Sequence, residues 1–210
     1  MTPDFLHEFV AGNSRRTLLL LHGTGGNERD LLPLGRELDS NASLLSPRGK
    51  VLENGNPRFF RRLAEGVFDL EDLKTRTNEL ADFVTAAVQH YKLDADQIVD
   101  VGYSNGANIA ASMLLLRPKI MHAAILFRAM VPLVPEKMPD LSAVHIWMGA
   151  GDQDPIIPPS EVQGLVELFR QASAEVTIRF FHAGHGLINS EVEAAKQWLG
   201  QLEQHAKNFE

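Results

Sequence analysis

The chain has 210 residues, 44% of them apolar and 22% charged, with 20 Lys and Arg against 27 Asp and Glu and no Cys. Its length fits one domain, at about 100–200 residues each, and the lack of Cys excludes disulfides, thiolate nucleophiles, Cys-ligated zinc and iron–sulfur clusters. A net charge of −7 opposes binding to a phosphate backbone, so no nucleic-acid partner is expected.

The opening stretch, Met1 to Gly12, carries Asp4 and Glu8 and has neither a basic n-region nor an apolar h-region, so no secretory signal is expected. No apolar run approaches the ~20 residues of a membrane span, and a cytoplasmic location is expected. A first apolar run, Thr17 to His22, leads into the Gly-rich segment His22-Gly23-Thr24-Gly25-Gly26 and then a helical period over Asp30 to Leu38. A second run covers Ala42 to Ser46. The stretch Pro47 to Glu65 is the least regular, with Gly49, Gly55, Pro57 and the cluster Arg58, Arg61 and Arg62. So long a loop in a compact domain is more often functional than idle; the alternatives are a wall of a ligand pocket and a solvated connection.

A long helical period over Leu70 to Tyr91 precedes a run at Gln97 to Tyr103, a helix at Asn105 to Leu116 and a run at Ala123 to Phe127. The chain continues with a run at Ala143 to Ala150, a helix at Ser160 to Ala172, a run at Val176 to Phe181 and a helix at Ser190 to Gln204. Several runs are apolar at nearly every position, as parallel strands covered on both faces are. The alternation predicts an α/β fold, a doubly wound and mostly parallel sheet with helices on both faces, in one domain over residues 1–210.

Chemistry concentrates where the run ending at Tyr103 meets the helix beginning near Asn105. Gly102-Tyr103-Ser104-Asn105-Gly106 has the G-x-S-x-G form of a nucleophile elbow, a strained turn that lifts the serine hydroxyl above a sheet. The bland alternative is a helix cap by Ser104. A serine hydroxyl needs a base. His185, in Gly184-His185-Gly186 beyond the last strand, is the favoured candidate, with His182 at the strand end as its rival; His122, His145 and His205 read as structural or surface residues. An acid between the two in chain order completes the arrangement. Asp154, after the run at Ala143 to Ala150 and before Pro155, is favoured over Asp152, which suits a turn. Backbone N–H groups of Asn105 and of the His22 to Gly26 loop, Thr24 foremost, are the expected oxyanion donors. That loop fits neither phosphate-binding pattern, G-x-G-x-x-G or G-x-x-x-x-G-K-[ST]. A metal site of His22, His182 and His185 lacks carboxylates at any recognised ligand spacing.

With these segments in place the chain resembles the α/β-hydrolase superfamily, and within it the small carboxylesterase and acyl-protein thioesterase-like group. It is similar to the bacterial hydroquinone-responsive carboxylesterases in His22-Gly23-Thr24-Gly25-Gly26-Asn27-Glu28, Ser46-Pro47-Arg48-Gly49 and Gly102-Tyr103-Ser104-Asn105-Gly106-Ala107-Asn108. The resemblance spans nearly the whole chain and implies Ser104, Asp154 and His185 as a catalytic triad. Two positions depart from the pattern: Asn105 stands where acyl-protein thioesterases carry Gln, and Ala129 where the bacterial group usually has Pro.

The expected activity is hydrolysis of small carboxylic esters, or thioesters, through an acyl-enzyme on Ser104, with no cofactor and no metal. No insertion long enough for a lid follows Phe127 or Asp154, so an open, shallow pocket is expected. Phe59, Phe60, Phe127, Met130 and Ile157 are candidates for its acyl side, against the alternative of core packing. Arg58, Arg61 and Arg62 could meet an anionic group or simply be solvated. The expected partner is a small-molecule ester, with a homodimer left open. Two other classes compete: an idle hydrolase fold used as a binding module, and a nucleotide-binding Rossmann-type protein. The second needs an acidic residue about 20 residues beyond the Gly-rich loop, and Asp39 falls too early, on a helix.

Overall fold

The structure is a computed structural model that describes residues 4–207. The opening residues 1–3 and the side chain of His205 lie outside the described part. Among the described residues eleven strands and five α-helices follow one another: β1 His7–Val10, β2 Thr17–Leu21, α1 Leu32–Leu38, β3 Ser43–Pro47, β4 Val51–Glu53, β5 Asn56–Arg58, β6 Arg62–Ala64, β7 Val67–Phe68, α2 Leu70–Tyr91, β8 Ile98–Tyr103, α3 Asn105–Leu116, β9 Ala123–Phe127, β10 His145–Gly151, α4 Pro159–Gln171, β11 Glu175–Phe181 and α5 Asn189–Lys207.

Seven strands form the central sheet in the order β1-β3-β2-β8-β9-β10-β11. All neighbours run parallel except β1, which pairs antiparallel with β3. The order steps outward from β2 in both directions, as in a doubly wound sheet. Every residue of β2, β3 and β9 is buried, which is why residues 18–21 and 123–127 read as unbroken apolar runs rather than alternating ones.

Strand parity assigns the two layers. Leu19, Leu21, Ala124, Leu126, Ile146 and Met148 face the core shared with α2, α3 and α4, whereas Leu18, Leu20, Ile125, Phe127 and Trp147 face the core shared with α1 and α5. Removing one such leucine costs about 2–5 kcal/mol. The long helix α2 starts where Asp69 accepts a hydrogen bond from the Asp72 amide and stops at Lys92, whose φ of 57° turns the chain away. Helix α3 differs from the others: every residue from Asn105 to Leu115 is buried.

The stretch from Pro47 to Glu65 is more regular than its composition suggests. It forms the β4–β5 hairpin and begins the β6–β7 hairpin. These two-stranded ribbons and the edge strand β1 are too short, and too rich in Pro, Gly and charge, to stand out as apolar runs. No helix among the described residues is long and apolar enough to cross a membrane.

Candidate active site

The site is assembled at the carboxyl ends of the parallel strands, where open α/β sheets place their ligands. The turn from β8 to α3 sets Ser104 at φ 53° and ψ −114°, a region costly for any residue with a Cβ. Two backbone bonds hold it there: the Ser104 amide donates to the Phe127 carbonyl at 2.9 Å, and the Asn108 amide donates to the Ser104 carbonyl at 3.0 Å. The flanking glycines allow the close packing. A Cβ on Gly106 would stand 1.9 Å from the Leu21 carbonyl oxygen, and one on Gly102 would stand 2.6 Å from the Ala107 Cα.

Three predicted side chains meet above this turn. Ser104 Oγ lies 3.0 Å from His185 Nε2, and His185 Nδ1 lies 2.8 Å from Asp154 Oδ2. A serine hydroxyl donating to Nε2 and an Nδ1–H donating to the carboxylate satisfy both contacts. The other carboxylate oxygen, Oδ1 of Asp154, accepts the amides of Ile156 and Ile157 at 2.8 and 3.2 Å. The carboxylate is therefore held by its own loop and is 1% exposed. The rival residues pair with each other elsewhere: His182 Nδ1 lies 3.3 Å from Asp152 Oδ2, with the histidine side chain 79% exposed. His122 and His145 pair with Asp96 and Glu175 at the surface.

The Gly-rich loop after β2 faces the serine from across the groove. Its His22 is buried, and burial lowers its affinity for a proton. The neutral ring suits its contacts: Nδ1 lies 2.7 Å from the Gly23 carbonyl, and Nε2 accepts the Gly49 amide at 3.0 Å. Glu28 pairs with Arg48, so the two segments His22 to Glu28 and Ser46 to Gly49 brace each other. Thr24 Oγ1 accepts a hydrogen bond from Arg58 at 2.9 Å, and the Gly25 amide donates to Pro57 at 2.9 Å. The first-turn amide of Asn105 has no carbonyl of its own helix to bond. Its side-chain Oδ1 accepts the Phe59 amide at 2.8 Å.

A groove of about 350 Å³ opens over Ser104 and His185, with Thr24, Asn105, Met130, Ile156 and Ile157 among its walls. Arg58, Arg62 and Glu65 line it too, so the Pro47 to Glu65 stretch does form part of a pocket wall. Glu53 binds both Arg58 and Arg62, and hydrogen bonding to Arg62 is the main cause holding its carboxyl below the usual carboxylate range. Arg61 instead pairs with Asp69.

Three expected lining residues do not reach the groove. Phe59 packs against His22 with ring centroids 4.7 Å apart, Phe60 is fully buried against Phe68, and Phe127 lies beneath the sheet against Trp147. Phe127 shares its face with Ile125, so the two-residue period of a strand turns it away from the opening. A larger cavity, about 520 Å³, lies at the opposite ends of the strands beside His122, His145 and Trp198. It contains no part of the serine arrangement.

Two residues at the site carry no signal in the motifs. Tyr103 donates its phenol to the His185 carbonyl at 3.0 Å. Arg128, fully buried after β9, places its Nε 3.8 Å from Asp154 Oδ2. A buried arginine whose hydrogen-bond partners lie 21 to 63 residues away leaves no local pattern to read.

The Dienelactone hydrolase family model matches residues 60–207. The chain is 46% identical over 192 residues to MhqD of Bacillus subtilis (strain 168), covering 91% of this chain and 96% of that protein. Among solved structures, the Bacillus cereus carboxylesterase aligns with a TM-score of 0.92 and 48% identity over 94% of each chain. A carboxylesterase from Mesorhizobium loti aligns with a TM-score of 0.86 and 33% identity over 90% of each chain.

Proposed function

Because the chain belongs to the dienelactone hydrolase family of α/β hydrolases, we propose that it cleaves small carboxylic esters through an acyl-enzyme on Ser104. It is a carboxylic ester hydrolase, as the carboxylesterases it resembles indicate. The observation that carries the finer reading is the unbroken chain of contacts from Ser104 Oγ through His185 to Asp154.

In this mechanism His185 takes the Ser104 proton as the hydroxyl oxygen attacks the acyl carbon, and Asp154 holds the ring tautomer and stabilises the imidazolium. The N–H groups of Thr24 and Asn105 receive the oxyanion; such a donor is worth about 3–4 kcal/mol. His185 then gives the proton to the departing alcohol, or thiol in a thioester. Water, deprotonated by the same ring, releases the acid. The groove of about 350 Å³ suits short acyl chains.

The test is a graded series of p-nitrophenyl esters and thioesters, run on the parent and on Ser104→Ala beside labelling by a serine-directed fluorophosphonate. Turnover that favours short chains, with labelling and turnover both lost in Ser104→Ala, is expected. Equal turnover by the variant removes Ser104 as nucleophile. A labelled serine without turnover of any ester would leave a binding module.

A further inference from the structure

The loop that carries His185 is fastened by a residue from another part of the sheet. Arg128 follows β9 at a φ of 57°, and its backbone amide donates to the Gly149 carbonyl at 3.0 Å. Its guanidinium uses every donor it has. Nε donates to the Gly184 carbonyl at 2.9 Å, and Nη2 donates to the Gly186 carbonyl at 2.8 Å and to Glu191 Oε2 at 2.8 Å. Nη1 donates to Glu191 Oε1 and, at 3.4 Å, to the Gly149 carbonyl. The carbonyls on either side of His185 are thus held by one planar group, while Tyr103 holds the carbonyl of His185 itself at 3.0 Å. Glu191, fully buried in the first turn of α5, also accepts the Ile188 amide at 3.0 Å, which ties the end of the same loop to the helix.

We propose that Arg128 is a positioning residue for the reaction: with Glu191 it fixes the peptide frame of residues 184–186, and so the reach of His185 Nε2 to Ser104, while standing against the triad carboxylate. The inference rests on His185 being the base. A plain structural strut would need neither the bonds to both peptide groups around the histidine nor an approach of 3.8 Å to Asp154. The fork is what suits it: three carbonyls and one carboxylate in different directions match five rigid donors, whereas an ammonium offers three donors from a single point.

Two variants test this, each checked for folding by circular dichroism and thermal melting. Arg128→Lys keeps the charge and loses the fork. Arg128→Met combined with Glu191→Gln removes both charges together, so neither is stranded in the interior, and the glutamine oxygen still accepts the Ile188 amide. The expected result for both is a fall in kcat of about 10²-fold, the scale of a misplacement of roughly 1 Å in a reacting group. KM should stay within about threefold, since the groove walls are untouched. The proposal falls if either folded variant keeps kcat within about threefold of the parent, if the loss is carried by KM, or if neither variant folds, for then Arg128 only holds the fold. His185→Ala is measured alongside. Activity surviving there would remove the base assignment itself, whereas an inactive His185→Ala beside an unimpaired Arg128→Lys would remove only the role of Arg128.

Discussion

The phenol of Tyr103 is bonded to the main-chain carbonyl of His185 at 3.0 Å, while the two rings lie 5.6 Å apart. The residue just before the proposed nucleophile thus supports the residue proposed as its base. Burial raises the Tyr103 pKa, so the phenol stays a donor well into the alkaline range. Tyr103→Phe should cost about 1 kcal/mol of stability and lower kcat by about tenfold through a looser histidine. Steady-state kinetics and a melting curve of the same sample check this; an unaltered kcat would separate the bond from catalysis.

Asp154→Asn should keep its fold, because the side-chain oxygen can still accept the amides of Ile156 and Ile157. It should lose about 10⁴-fold in kcat through the wrong imidazole tautomer. Asp152→Asn and His182→Ala, at the exposed pair, should leave kcat/KM within about twofold. The reverse ranking would move the acid and base to the outer pair.

The motif and its chain order single out Ser104, Asp154 and His185, which the fold brings into contact, because such turns and strand-end loops are local features with local composition. The layers were legible too, since residues 18–21 of β2 and all of β9 are apolar. Phe127, expected on the acyl side of the pocket, faces the other way, because nearness to a motif says nothing about which side of the pleat a residue occupies; its alternation with Leu126 carries that information. Arg128 could not be read at all. Its importance comes from Gly184, Gly186 and Glu191, brought near only by the packing of α5 and the loop before it.

Gly106→Ala should be among the most damaging single-methyl additions in the chain. The new carbon would meet the Leu21 carbonyl oxygen at 1.9 Å, and that oxygen belongs to a central strand that cannot retreat. A loss above about 4 kcal/mol, or no folded protein, is expected. Gly200, exposed in α5 with open space around it, is the matched control. Gly200→Ala should gain about 0.5–1 kcal/mol from helix propensity. Denaturant titration of both variants gives the comparison.

Asp100 lies in the middle of β8, fully buried, with neither carboxylate oxygen bonded to any described group. Burial raises its pKa well above 3.8. Below that value the folded and unfolded chains both hold the proton. As the pH rises past it, the unfolded chain ionises first and folding loses at most about 1.4 kcal/mol per pH unit until the folded group follows. Asp100→Val should therefore be stabilising, with a gain that grows over the interval just above pH 3.8. Equal gains across that interval would mean that the carboxyl finds a partner in solution.

The backbone of Ser104 is bent into a shape that no short peptide would keep, and it survives because the strand before it and the helix after it are locked in place. Reactivity is therefore a property of the finished tertiary structure rather than of the five residues around the serine. During synthesis the histidine emerges 81 residues after the serine. Until that last loop docks, the growing chain carries only an ordinary alcohol, and the proposed capacity to attack an ester would arrive together with the closing of the fold.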